Sequence, residues 1–250
     1  MQADQKSVLV TGAGNGIGRA TARHLAARGW IVGVNDLKDE TVDNVVAEIV
    51  SAGGMAVPIV RNLATQDGVE WAVKTLVEKT GRLDGLVNNA AWVRYQSIPD
   101  IAPETLDRML AIGFSAIIWG IKHAAAAMDD RRGGTIVNIA SAAGFRSAAN
   151  SLVYSGIKAG VMGLTRAAAV ELGLRNIRVN AVAPSAIPTE GTLRNRNAER
   201  DAKRIAGTPL GRLGTVDDIA RAVVYLMGPE SDFVTGQVHS VDGGIGIAIT

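Results

Sequence analysis

Tyr154 and Lys158 stand four positions apart in the stretch VYSGIK. In a helix that spacing puts both side chains on one face. A free phenol, with a pKa of about 10, is a sluggish acid or base at neutral pH, and a nearby ammonium favours its phenolate. The pair therefore predicts a phenol with a lowered pKa, able to remove an alcohol proton or return one to a carbonyl oxygen. Ser141, directly after the apolar run TIVNIA, is placed to hydrogen-bond the same oxygen and to stabilise charge developing on it. Alone, a Tyr-x-x-x-Lys pair is more often coincidence than chemistry, so its meaning depends on what accompanies it.

A second cluster lies near the start, where SVLV runs into TGAGNGIG and a helical pattern follows at once. Strand, glycine turn and helix in that order suit a phosphate anion. Gly12, Gly16 and Gly18 leave the backbone bare, and the N–H groups around Asn15, Gly16 and Ile17 open a helix N-terminus. The alternative is an ordinary glycine turn. Asp36 ends the next apolar run eighteen residues beyond Gly18, near the spacing of about 20 for an acid that grips a ribose 2′-hydroxyl. A carboxylate there favours NAD and repels the extra phosphate of NADP, and Leu37 beside it offers that phosphate no ligand. The competing reading of Asp36 is a turn residue closing a strand.

These residues need elements to hold them. Short β-branched runs at Ser7–Val10, Trp30–Asn35, Met55–Val60, Leu83–Asn89, Gly134–Ala140, Ile177–Pro184 and Gln237–Gly244 read as seven strands. Most are apolar throughout, as parallel strands covered on both faces are. Helical patterns fill the intervals at Ile17–Arg28, Glu40–Ala52, Gly68–Thr80, Pro103–Met128, Ser151–Leu174 and Val216–Met227. The alternation predicts an α/β fold, a Rossmann-type doubly wound parallel sheet of about seven strands with helices on both faces. Residues 1–250 read as a single domain, with one long irregular stretch at about 185–208 that would serve as a substrate lid.

Composition removes other classes. The chain has 250 residues, 47% hydrophobic and 20% charged, enough to bury a core. A formal net charge of +2 without a basic block argues against nucleic acid. With no cysteine, disulfides, thiolate metal sites and a cysteine nucleophile are excluded. His24, His123 and His239 are scattered, so no metal site is expected. The N-terminus lacks the pattern of a secretory signal, and the apolar run Met109–Ile121 is shorter than the roughly 20 residues a bilayer needs. A soluble cytoplasmic protein with no membrane partner is the expectation.

Together, TGAGNGIG, NNAA at Asn88–Ala91, Ser141, YSGIK and VNAVAP at Val179–Pro184 resemble the short-chain dehydrogenase/reductase family, in family order and over about Ser7 to Gly244. The resemblance implies nicotinamide-dependent hydride transfer with Ser141, Tyr154 and Lys158 as catalytic residues. It implies that Lys158 also holds the nicotinamide ribose, that Asn89, Ala90 and Ala91 support the adenine side, and that Thr189 meets the carboxamide. Tyr154, Asn62, Leu63, Pro184 and Ile187 join the implied cofactor set. A homotetramer or homodimer is implied too, joined through the helices at Pro103–Met128 and Ser151–Leu174 and the C-terminal segment.

Four positions depart from the family pattern. Gly113 stands where an asparagine usually kinks the long fourth helix and holds a water linked to the lysine. Asn62 replaces an aspartate, Ala91 a glycine, and Ser185 a glycine. Gly113 has two readings: close helix packing, or a retained kink that leaves room for water on a proton path from Lys158.

Substrate residues should come from loops after the strands: Trp92–Tyr95, Ala142–Leu152 and the lid. Arg94, Arg146, Arg194, Arg196 and Arg200 either grip an anion or are solvated lid charges. Arg94, Arg146, Asn150 and Ser185 are the candidates nearest the expected site, and Asn150, Asn195 and Asn197 suit a hydroxylated molecule. The expected activity is NAD-dependent hydride transfer between a secondary alcohol (a sugar, polyol or hydroxy acid) and its ketone or lactone. The alternatives are a carbonyl reductase resembling 3-oxoacyl (acyl carrier protein) reductases, and a catalytically weak NAD-binding protein.

Overall fold

The computed structural model describes residues 5–193 and 197–248. Seven strands form one sheet: β1 (Ser7–Val10), β2 (Ile31–Asp36), β3 (Met55–Val60), β4 (Gly85–Asn88), β5 (Gly134–Ile139), β6 (Ile177–Pro184) and β7 (Val238–Val241). Their order is β3-β2-β1-β4-β5-β6-β7, and every neighbouring pair is parallel. Between them run α1 (Gly16–Ala27), α2 (Asp39–Ser51), α3 (Gln66–Thr80), α4 (Pro103–Leu110), α5 (Ala116–Ala127), α6 (Leu152–Leu172), α7 (Glu190–Leu193), α8 (Ala198–Ala206) and α9 (Val216–Met227).

The apolar strands are buried on both faces for the reason their composition suggests. Successive side chains of a strand point to opposite faces. Val8 and Val10 therefore join Leu25, Val42 and Ile219 in one core, while Leu9 joins Ile59, Leu76 and Ile136 in the other. Helix ends follow local chemistry. Thr215 and Asp218 form a reciprocal capping box at the start of α9, and α3 stops at Gly81, which takes a φ of 78°.

From β1 the chain winds outward through β2 and β3, then returns to the other side of β1 as β4. That reversal opens a crevice at the carboxyl ends of β1 and β4, where ligands bind in sheets of this kind. Both the glycine loop and the Asn89–Tyr95 loop leave from there.

Two expectations change. Among the described residues of 185–208, α7 and α8 replace the expected irregular chain, and the Asn197 side chain caps α8 by accepting from the Arg200 N–H at 2.9 Å. The long fourth helix is α4 and α5 joined by a π turn at Ala111–Ser115. By length and composition Pro103–Ala127 passes for a membrane span. It packs in this fold as a helix flanking the core, against α3, α6 and β4.

Candidate active site

β5 delivers Ser141 and α6 delivers Tyr154 and Lys158. The Ser141 hydroxyl accepts from the Ala143 N–H at 3.1 Å, capping a short 3-10 turn at Ala142–Gly144. Gly144 lets that turn lie against α6, because a Cβ there would sit 2.9 Å from the Lys158 carbonyl carbon and crowd Met162. The approach brings the Ser141 hydroxyl close enough to the Tyr154 phenol to lower its pKa.

Lys158 lies under the tyrosine. Its Nζ is 5.9 Å from the Tyr154 ring centroid and donates to the Ile139 carbonyl at 2.6 Å. The side chain is 4% exposed, and burial pulls its pKa down to about 8. Here the electrostatic expectation is corrected. Burial raises the Tyr154 pKa, the Ser141 hydrogen bond lowers it in part, and Tyr95 raises it further. The phenol thus starts above its ordinary value, because desolvation disfavours phenolate.

A buried polar chain holds α6 to the sheet. Asn88 donates to Asn138 at 2.9 Å, Asn138 to Thr165 at 3.0 Å, and Thr165 to the Val161 carbonyl at 2.8 Å. Beside it the π turn docks on α6. A Cβ on Gly113 would lie 3.3 Å from Ile157 Cγ2, and one on Gly160 would lie 2.7 Å from the Phe114 ring. The fourth-helix kink is therefore present with glycine at position 113.

Gly12 and Gly16 take φ of 61° and 53°, backbone that L side chains rarely adopt. The Asn89 side chain donates to the Thr11 and Gly12 carbonyls at 2.8 and 2.9 Å, and Thr11 Oγ1 accepts from the Asn89 and Ala90 N–H groups. Asn89 thus braces the glycine loop. Asp36 reaches the loop from β2: its carboxylate accepts from the Gly14 N–H at 3.0 Å and the Leu37 N–H at 2.7 Å. Leu37 is exposed, and Ile17 is half-buried against the core.

Whether the loop suits a phosphate-bearing cofactor is tested by what it already holds. The Glu190 carboxylate, at the start of α7, accepts from the Gly16 N–H at 3.0 Å and lies 3.6 Å from the Arg19 guanidinium. An oxyanion therefore sits on the helix N-terminus, as the free N–H groups and helix dipole favour. The residues fit an anionic cofactor, with Glu190 as its stand-in. Thr189 lies against Gly16, its Cγ2 3.1 Å from where a Cβ would be.

The remaining expected residues divide. Pro184 is buried at the end of β6, Ser185 beside it is half-buried, and Ile187 packs against the core. The Leu63 side chain is buried in the core, while Asn62 accepts from the Ala64 N–H at 3.0 Å in a local turn. Ala90 is half-buried, while Ala91 and Arg94 are exposed. Arg146 donates to the Ile245 carbonyl at 2.6 Å, and Asn150, at a φ of 64°, offers its carbonyl to the Gln96 N–H at 3.0 Å. Arg200 is exposed on α8. Arg194, Asn195 and Arg196 lie outside the described residues. Among the described residues no group of three His, Asp or Glu side chains is arranged to hold a metal.

Sequence reasoning missed Glu190, although it directly follows Thr189, because no pattern marks which N–H a lid carboxylate will meet. It missed the Asn138–Thr165 link for the same reason: the two residues are 27 apart and paired only by the fold.

With this geometry in place, comparison with known proteins identifies the class. Residues 12–246 match the family described as enoyl-(acyl carrier protein) reductase. The chain is 36% identical to a 3-oxoacyl-[acyl-carrier-protein] reductase of Thermotoga maritima, covering 98% of this chain and 99% of that one. It is 35% identical to a sorbitol dehydrogenase of Cereibacter sphaeroides, covering 98% of each. A solved 7 alpha-hydroxysteroid dehydrogenase, complexed with NADH and a 7-oxo bile acid, superposes with a TM-score of 0.93 at 32% identity, covering 97% of this chain and 94% of that one. The chain belongs to the short-chain dehydrogenase/reductase family. It is accordingly an oxidoreductase acting on CH–OH or carbonyl groups.

Proposed function

We propose that this protein interconverts a secondary alcohol and its ketone or lactone using NAD(H), with Ser141, Tyr154 and Lys158 as its catalytic residues. The observation that carries the reading is the Ser141 hydroxyl beside the Tyr154 phenol, with the buried Lys158 Nζ 5.9 Å from the centre of that ring.

When bound, the nicotinamide accepts or supplies the hydride. Everything else falls to this chain. In oxidation, Tyr154 takes the hydroxyl proton of the substrate at its phenolic oxygen as the carbinol carbon becomes a carbonyl; in reduction it returns that proton. Ser141 donates a hydrogen bond to the same substrate oxygen and stabilises its partial negative charge. The Lys158 ammonium stabilises phenolate, and the positive charge of an oxidised nicotinamide would add to it, offsetting the burial that holds the phenol high. The glycine loop and Thr189 would hold the pyrophosphate and carboxamide side. Asn62, Leu63 and the Asn89–Ala91 stretch would hold the adenine side, and Pro184, Ser185 and Ile187 the nicotinamide side.

The preference for NAD rests on Asp36. Its carboxylate is fixed at the end of β2 by two backbone N–H groups, where it would bond a ribose hydroxyl and repel a phosphate.

The relatives act, by name, on a 3-oxoacyl chain, a polyol and a hydroxysteroid. A 3-oxoacyl (acyl carrier protein) reductase is the second reading, supported by the first of those names. Homo-oligomer formation fits the apolar Leu110, Ile118 and Val170 exposed along the fourth helix and α6.

The test is a purified-protein screen of secondary alcohols and ketones with NAD(H) and NADP(H), read at the nicotinamide absorbance, beside Tyr154→Phe. The reading expects NAD(H) to be the better cofactor and turnover to fall by roughly 10²–10⁴-fold in the variant. Undiminished turnover in a folded Tyr154→Phe protein would overturn it.

A further inference from the structure

The chain has only three tyrosines and three phenylalanines, yet two tyrosines meet ring to ring. The Tyr95 and Tyr154 centroids are 5.7 Å apart at an interplanar angle of 68°, an edge-on contact. Tyr95 is nevertheless 59% exposed. One side of its ring therefore touches the reacting phenol's ring, while much of the rest faces open space.

Its loop is pinned. The adjacent Gln96 donates its N–H to the Asn150 carbonyl at 3.0 Å and its side-chain amide to the Asp100 carbonyl at 2.6 Å. The segment that carries Tyr95 is thus tied to the one that leads into α6. Burial raises the pKa of the Tyr95 phenol, and the Arg204 and Arg200 guanidiniums of α8 lower it in part.

Large apolar side chains are left open on the segments around it. Phe145 follows the glycine that packs against Lys158, and Leu152 opens α6 two residues before Tyr154; they are 57% and 58% exposed. Polar groups suited to a polyol have other work. Arg146 is bonded to the Ile245 carbonyl, Asn197 caps α8, Lys203 pairs with Glu199, and Arg204 pairs with Asp201. Exposed apolar side chains on segments that meet beside a buried phenol suit an apolar ligand.

We propose that Tyr95 is a specificity-determining residue, forming with Phe145 and Leu152 an apolar wall that selects alcohols and ketones whose reacting carbon belongs to a hydrocarbon ring. The inference deepens the proposed function and rests on it. Tyr95 donates no proton in the reaction; it supplies a fixed ring face against which the ring of the substrate lies.

The test compares the parent, Tyr95→Ala and Tyr95→Phe on cyclohexanone and acetone with NADH, and on sorbitol with NAD. The expected result is that Tyr95→Ala loses about tenfold or more in kcat/KM on cyclohexanone, chiefly through KM. Its acetone activity should stay within about threefold of the parent, and Tyr95→Phe should keep cyclohexanone activity, since it retains the ring. Equal losses on cyclohexanone and acetone would overturn the inference, because they would mean that Tyr95 only steadies Tyr154. A parent that prefers sorbitol to the cyclic pair would also overturn it. The proposed function itself fails in a different way: the parent turns over no alcohol or ketone, or Tyr154→Phe leaves turnover intact.

Discussion

The Glu190 carboxylate sits on the Gly16 N–H, 3.0 Å away, on the helix end that a cofactor pyrophosphate would use. Two anions at one helix N-terminus repel each other, and a charge there is worth about 1 kcal/mol at most at an exposed site. Glu190→Gln keeps an acceptor for that N–H but removes the charge. NADH titrated by fluorescence should bind the variant about fivefold more tightly. Unchanged or weaker binding would show that the lid carboxylate and the cofactor do not compete.

Asp36 offers a cleaner test of cofactor choice. Asp36→Asn keeps an oxygen for the Gly14 N–H while removing the charge that opposes a 2′-phosphate. The ratio of kcat/KM for NAD to that for NADP should fall by about tenfold or more, equivalent to about 1.4 kcal/mol. A constant ratio would mean that another group sets the preference.

Lys158 makes stability depend on pH. Its folded pKa is about 8, while an unfolded lysine titrates near 10.4. Below pH 8 both states are protonated, and the fold bears the cost of a buried ammonium. Between about 8 and 10.4 the unfolded state binds more protons, so stability rises with pH. The gain is on the order of 3 kcal/mol. Urea unfolding of the parent and Lys158→Met, at pH 7 and pH 10, should show the parent gaining on the variant. A difference that stays flat across the interval would place the lysine in contact with water.

Gly113 tests whether the missing asparagine matters. The π turn exists without it, and a side chain there must displace Ile157, one residue from Lys158. Gly113→Asn should lower stability by about 1–3 kcal/mol, the usual range for overpacking, and should not raise kcat. A large gain in kcat would mean that the natural chain has an incomplete proton path.

The strands were legible because burial on both faces forces continuous apolar runs, and five of the seven differ by no more than a residue at either end from their reading. The glycine loop and the Tyr154–Lys158 pair were legible because each is local: one turn of backbone, one turn of helix. The electrostatics were not. Spacing puts an ammonium near a phenol, but only the fold decides that both are desolvated and that the Ile139 carbonyl takes the lysine's hydrogen bond. The lid was misread as irregular because Arg, Asn and Thr suggest a loop, whereas Asn197 caps a helix whose acids and bases pair along its own surface.

Thr165 lies two helical turns beyond Lys158 on the same buried side of α6, joined through Asn138 to Asn88. A helix faced only with alanine and valine could settle at several heights above the sheet. These amides accept one height alone, since sliding by a turn would shift Tyr154 by about 5.4 Å and strand the amides in an apolar interior. The Tyr154–Lys158 pair is thus indexed by uncharged groups deep in the interior, much as a dowel sets two machined parts.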